Sequence, residues 1–352
     1  MRSSIPTADL HQPRRFMLGA LLLLTFCDLM PAQIFYPVGD VEDFAGQKQA
    51  GRLSAIATVP GSRSRIFVGA GDGGVWRTST AGTSWTTSTD GESSLRITAL
   101  DTDATGNRVF AAAMRPTRLL RSNDGGVSFA ELVVPQIAFA SDEIRQLVID
   151  PAHANTLYLM TTRGLLRSTD DGNNWEVVFP AVTTHFADTV ILSSGADFWV
   201  LITKGEILYR SPTGDSGSFA ASTPPSPGDG QPPFSGNTGQ LLLAPVPGTA
   251  SLIYLSYAGV NEATYRSTDF GTTMSFASRH PRLLNPSTFV AAADGSTLYS
   301  GEHSNGNTSV NRGRNGGLVW ETPFPGPYHA DIMALHTTAF PAYLYVATDG
   351  GL

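Results

Sequence analysis

The chain has 352 residues, 41% of them hydrophobic, so it can bury one large core or two smaller ones and is too apolar for general disorder. Gly (36) and Pro (23) are abundant while Lys and Arg together number only 23, a balance that favours short strands and many turns over helices. The formal charge of −7 comes without a basic stripe, which excludes a phosphate-backbone footprint and argues against nucleic-acid binding.

In chain order, residues 1–32 read as an export signal peptide. Arg14 and Arg15 lead into the apolar run from Phe16 to Cys27, and Ala32 is a small residue at a suitable cleavage position. The run is too short for a comfortable membrane span. The mature chain is therefore expected to have no transmembrane domain and to be secreted, periplasmic or displayed at the cell surface. Cys27 is the only cysteine, and cleavage would remove it. Disulfides, zinc–thiolate sites and a cysteine nucleophile are then out of reach, and stability must come from packing. Residues 33–50 form a lead-in.

From residue 51 onward one short pattern returns, Ser-x-Asp-x-Gly-x-x-aromatic. Clean copies are Ser122, Asp124, Gly126, Phe129 and Ser168, Asp170, Gly172, Trp175; a third, Ser267, Asp269, Gly271, ends in Met274. Degenerate copies are Thr78, Thr80, Gly82, Trp85, then Ser211, Asp215, Gly217, Phe219, then Gly313, Asn315, Gly317, Trp320. Successive copies start 44, 46, 43, 56 and 46 residues apart, the length of a four-stranded propeller blade. The long interval carries a Pro/Gly/Ser insertion from Thr223 to Thr238.

Around each copy, short apolar runs alternate with turn residues, as in Gln146 to Asp150, Thr156 to Met160, Gly164 to Ser168 and Trp175 to Phe179. Each run reads as a strand. Four short strands cannot hide both faces alone, so neighbouring units must stack. In the pattern itself, the Asp carboxylate and Ser hydroxyl accept from turn N–H groups, the Gly permits a positive φ, and the aromatic packs back on the sheet. These are fold-locking residues, and the expected fold class is all-β, a propeller of about seven four-stranded antiparallel blades.

The repeated residues resemble the Asp-box, or BNR, repeats of sialidases, sortilin-type receptors, xyloglucanases and a photosystem assembly factor. The resemblance spans residues 51–352 and implies the propeller far more strongly than any activity. The opening unit, Gly51-Arg-Leu-Ser-Ala-Ile-Ala followed by Ile66-Phe-Val-Gly-Ala-Gly-Asp-Gly-Gly-Val-Trp-Arg, is similar to the first blade of secreted bacterial sortilin-like propellers. The phrase Leu344-Tyr-Val-Ala-Thr-Asp-Gly-Gly-Leu repeats it and then stops, so the seventh unit is expected to be incomplete. Either residues Phe35 to Ala50 help to close it or the natural protein continues, and continuation is the reading adopted.

The chemistry-bearing candidates divide by family. Sialidases resemble one another in an Arg-Ile-Pro phrase; here the first unit reads Ser64-Arg65-Ile66-Phe67. Xyloglucanases carry an Arg-Thr-Asp-x-Gly-Gly phrase, of which this chain keeps Asp72 without the preceding Arg-Thr, and Asp72 is expected to be a turn residue. Loops leading into the innermost strands converge on the channel mouth, and two are alike: His185-Phe-Ala-Asp188 and Tyr328-His329-Ala-Asp331. The second resembles a His-x-Asp-x-His-Ala-Leu phrase of sortilin-like propellers, with Met333 in place of the second His.

In an extended strand His329 and Asp331 point the same way, which suits holding a polar group or a plain His–Asp hydrogen bond. Neither a metal site nor a cofactor is expected. Arg115, Arg118, Arg163, Lys204, Arg279, His280, Glu302 and His303 complete the expected rim, a mixture suited to protein or glycan recognition. The resulting expectation is a non-catalytic binding or scaffold module for an extracellular protein or polysaccharide. The alternative is a propeller-type glycoside hydrolase or lyase.

Overall fold

The computed structural model describes residues 21–25, 35–38, 52–89, 95–137, 141–180, 188–194, 196–205, 207–222, 235–260, 263–279, 286–302, 310–324, 332–339 and 342–348, the first two segments as backbone alone. Two strands precede the repeats, β1 (Leu21–Thr25) and β2 (Phe35–Val38). Blade 1 holds β3 (Leu53–Thr58), β4 (Ile66–Ala70), β5 (Gly74–Thr78) and β6 (Thr86–Thr87). Blade 2 holds β7 (Arg96–Thr102), β8 (Val109–Met114), β9 (Arg118–Ser122) and β10 (Ala130–Leu132). Blade 3 holds β11 (Ile144–Ile149), β12 (Leu157–Thr161), β13 (Gly164–Ser168) and β14 (Glu176–Pro180).

Blade 4 holds β15 (Thr189–Ser194), β16 (Asp197–Lys204), β17 (Ile207–Ser211) and β18 (Ala220–Ser222). Blade 5 holds β19 (Ser235–Val246), β20 (Thr249–Val260), β21 (Ala263–Ser267) and β22 (Ser275–Arg279). Blade 6 holds β23 (Pro286–Ala291), β24 (Leu298–Glu302), β25 (Val310–Arg314) and β26 (Val319–Phe324). These six are contiguous antiparallel meanders. The last strands, β27 (Ile332–Thr337) and β28 (Tyr343–Thr348), belong to a seventh sheet ordered β2-β1-β28-β27.

Here the structure differs from the incomplete last blade expected above. Leu21 to Thr25 pairs antiparallel with Ala347 to Tyr343, and Phe35 to Val38 pairs with the far side of β1. The physical reason is the edge of β28, whose side chains are buried throughout; its backbone N–H and C=O groups need partners. The apolar run that reads as an export leader is thus paired as a third strand, so the four-stranded seventh sheet belongs to the uncleaved chain, and removal of residues 1–32 would take β1 away.

The meander explains why second strands are buried along most of their length. All of Leu157 to Thr161 is buried. Because side chains alternate across a strand, Leu157 and Leu159 pack toward blade 2 with Phe110 and Leu119, whereas Tyr158 and Met160 pack toward blade 4 with Val200 and Ile202. Seven such clusters fill the seven gaps between neighbouring sheets. The last joins Leu53, Ile66 and Val68 of blade 1 to Tyr343 and Tyr345 of the seventh sheet.

The first strands of successive sheets lie side by side from β3 round to β27, and β27 lies by β3, which closes the ring as a propeller. Thr58 Oγ1 and His336 Nε2, 2.8 Å apart, tie the first and seventh sheets. His336 is partly exposed, yet burial among its neighbours holds its pKa down to about 4.

Candidate functional face

In an antiparallel meander the turns between third and fourth strands lie on one face of the ring. Those turns carry the repeated Ser-x-Asp-x-Gly loops. Ser168 Oγ accepts from Gly172 N at 2.9 Å and donates to Asp170 Oδ1 at 2.9 Å. Asp170 then accepts from the backbone and side-chain nitrogens of Asn174 at 2.8 and 2.6 Å. Ser122 with Asp124 and Ser267 with Asp269 repeat this geometry, with Ser128 and Thr273 in the place of Asn174.

These donors, foremost the Ser128 hydroxyl, hold the Asp124 carboxyl well below its ordinary range. A polar residue just before the aromatic is therefore part of the lock. That position was left open in the sequence pattern, although Ser128, Asn174, Thr273 and the Ser84 of the degenerate first copy all show it. Gly172 has φ +87°, and a Cβ there would lie 2.6 Å from Leu132 Cδ1 of the preceding blade.

The opposite face carries the turns between second and third strands and the connections into the innermost strands. Asp142, 2% exposed, is its best-defined node. Its backbone carbonyl accepts from Thr117 Oγ1 of the β8–β9 turn. Its carboxylate takes Arg163 Nε at 2.8 Å and Thr162 Oγ1 at 3.4 Å from the β12–β13 turn. Glu143 N donates to Thr162 Oγ1 at 3.2 Å, and Glu143 Oε2 lies 3.4 Å from Arg145 Nε. One buried aspartate thus joins two neighbouring turns, one through its backbone carbonyl and the other through its carboxylate, and each turn carries an arginine.

Of the residues expected at this rim, Arg163 is 45% exposed in its side chain. Arg115 is exposed and sits at φ +62°, the left-handed region that ordinary side chains avoid. Arg118 begins β9 and lies 3.7 Å from Glu131. Lys204 and Arg279 are partly exposed at the ends of β16 and β22. Asp72 is exposed in the β4–β5 turn on the same face. The backbone of Glu302 ends β24. His185, His280, His303, Tyr328, His329 and Asp331 lie outside the described residues, and so does the pairing expected between the last two.

Asp188 is the expected site residue whose surroundings are best defined. Its carboxylate accepts from Gln146 Nε2 at 2.9 Å, Thr189 N at 2.9 Å and Leu243 N at 2.8 Å, spanning blades 3, 4 and 5. Burial raises its pKa, against the lowering effect of these donors. The group therefore acts as a brace between sheets. Sequence reasoning missed Asp142, though an aspartate beside the start of an innermost strand recurs at Asp188 and Asp331.

No family model matches the chain. Over 121 residues the chain is 35% identical to a xyloglucanase of Hypocrea jecorina, a stretch covering 33% of this chain and 14% of that one. Among solved structures, the GH74 xyloglucanase of Xanthomonas campestris superposes with a TM-score of 0.62 at 19% identity, covering 85% of this chain and 51% of that chain. The YCF48 structure from Cyanidioschyzon merolae gives a TM-score of 0.57 at 14% identity, covering 86% of this chain and 94% of that one. The chain thus spans about half the length of the solved xyloglucanase. At these identities the structural likenesses establish the propeller fold alone.

Proposed function

We propose that this chain is an exported recognition propeller, non-catalytic, which binds a glycan or protein ligand on the face opposite its Ser-x-Asp-x-Gly loops. What carries the reading is the state of three carboxylates described on that face. Asp142 lies under Arg163, Asp188 is bound by three N–H donors, and Glu143 faces Arg145. Glycoside cleavage asks for two carboxyl groups facing each other across a groove, one to protonate and one to attack or activate water. Groups already committed to protein donors serve that role poorly.

A second reading, a glycoside hydrolase or lyase, is favoured by Asp72, exposed in the β4–β5 turn, together with the xyloglucanase likeness. A second carboxyl group would then have to meet Asp72 across the face. The two readings separate in one experiment, a glycan array followed by a glycosidase panel on the same protein. Retention of a ligand without turnover is expected; release of reducing ends, abolished by Asp72→Asn, would establish the second reading in place of the first.

A further inference from the structure

We infer that Arg115 and Arg163, set on the two turns that Asp142 joins, form a subsite for the carboxylate of an acidic glycan, a uronic-acid unit. The inference rests on the recognition reading above and names its ligand class. The β8–β9 turn is held through Thr117 to the Asp142 carbonyl, and the β12–β13 turn through Arg163 Nε to the Asp142 carboxylate. The two turns that carry these arginines are therefore fastened to one residue at the rim, and the carboxylate beneath Arg163 is 2% exposed.

A carboxylate that approaches through its Nε edge fixes the plane of a guanidinium, and a planar fork of N–H donors matches a ligand carboxylate. Arg115 adds a second cation and makes no ion pair among the described residues. Its left-handed backbone is a strain that persists where the rest of the structure imposes it, often at ligand sites.

The surroundings favour a sugar acid over a polypeptide. Protein partners anchor on aromatic and apolar side chains at the centre of an interface. Among the described residues the large exposed apolar side chains are Val127, Val133, Val177, Leu318 and Val319. Val127, Leu318 and Val319 lie on the Ser-x-Asp-x-Gly side and Val177 in the outer strand β14, while Val133 is the one of the five in a connection into an innermost strand, between β10 and β11. Around the arginines stand the threonines Thr117 and Thr162 instead, in a setting of hydroxyl groups and charges.

The test is calorimetric titration of the full chain with oligogalacturonate, its methyl ester, a neutral glucan of similar length and a poly-glutamate peptide. Oligogalacturonate is expected to bind with an affinity that falls as salt rises, and the ester at least tenfold more weakly. Arg115→Gln, an exposed substitution without effect on melting, and Arg163→Gln should each weaken the acidic glycan about tenfold or more.

Equal binding of acid and ester, unchanged affinity in Arg115→Gln, or a peptide bound as tightly as the glycan overturns the subsite. If a neutral glucan or a protein binds while uronates do not, the recognition reading survives and the subsite does not. If oligogalacturonate is cleaved with the same arginine dependence, the subsite stands and the non-catalytic reading falls.

Discussion

The two faces of this propeller are built by different rules. On one, the same residues repeat and bond within a few positions of themselves, as Ser122 does with Asp124 and Gly126, or Ser168 with Asp170 and Gly172. On the other, the contacts that matter join residues far apart in sequence: Asp142 with Arg163, Asp188 with Leu243. A face assembled from local bonds can be repeated blade after blade as a scaffold. One assembled from distant bonds differs at each blade, and that variety is what a ligand site needs.

The largest break in this comparison should come where the repeated lock is missing. The seventh sheet has no Ser-x-Asp-x-Gly loop between its outer strands, because β1 and β2 arrive from the other end of the chain. Deleting residues 1–38 should lower the melting temperature more than any single substitution in a loop, and should leave the edge of β28 open to self-association. Circular-dichroism melts and light scattering check this; an unchanged melt would mean that β1 and β2 contribute nothing to closure.

Next in size is Ser168→Ala. It leaves the buried Gly172 N–H without its acceptor, at about 1–3 kcal/mol. Melting should fall by several degrees while ligand affinity on the opposite face stays unchanged, which sharpens the separation of the faces. A loss of affinity equal to that of Arg163→Gln would show that the faces are coupled.

A smaller effect concerns pH. Burial raises Asp101 from its ordinary 3.8 to about 6 in the folded chain, although Ile149 N donates to it at 2.8 Å. The folded state then binds more protons than the unfolded state between these values, so this group adds stability as pH falls from about 6 to 4. His336 acts oppositely: lowered from 6.5 to about 4, it removes stability as pH falls through that window. In Asp101→Asn only the His336 contribution of this pair remains. Its melting temperature should therefore drop more steeply than that of the natural chain between pH 6.5 and 4, and parallel curves would refute the assignment.

The smallest effect is expected from Arg115→Gly. Relief of the left-handed backbone should stabilise the fold by up to about 1 kcal/mol, while removal of the guanidinium weakens the acidic glycan. Higher melting with lower affinity is the expected pair of results; higher melting with unchanged affinity would leave Arg115 without a role in binding.

The propeller was legible because turn chemistry is local. A hydroxyl two residues before a carboxylate and four before a left-handed glycine specifies the same loop wherever it occurs, and its spacing counts the blades. The candidate site was less legible. Arg115 and Arg163 were visible as rim residues, but the aspartate that joins their turns was not, since Asp142 meets Arg163 only after a hairpin folds back and meets Thr117 only across a blade gap. Asp188 presented the opposite case. Beside a histidine it reads as a ligand group, whereas its bond to Leu243 N, 55 residues away, makes it a brace.

By itself, then, the order of residues determined the strands, their turns and the number of blades drawn from contiguous chain, because those depend on side-chain alternation and on bonds within a few residues. The closure of the ring by Leu21 to Thr25 and Phe35 to Val38 was decided only in three dimensions. An apolar run has the same composition whether it leaves as a leader or pairs with β28, and only the unpaired edge waiting for it makes the difference. The same holds for the turns of the two arginines, which are brought together because a buried aspartate from a third segment bonds both, one through its carbonyl and one through its carboxylate.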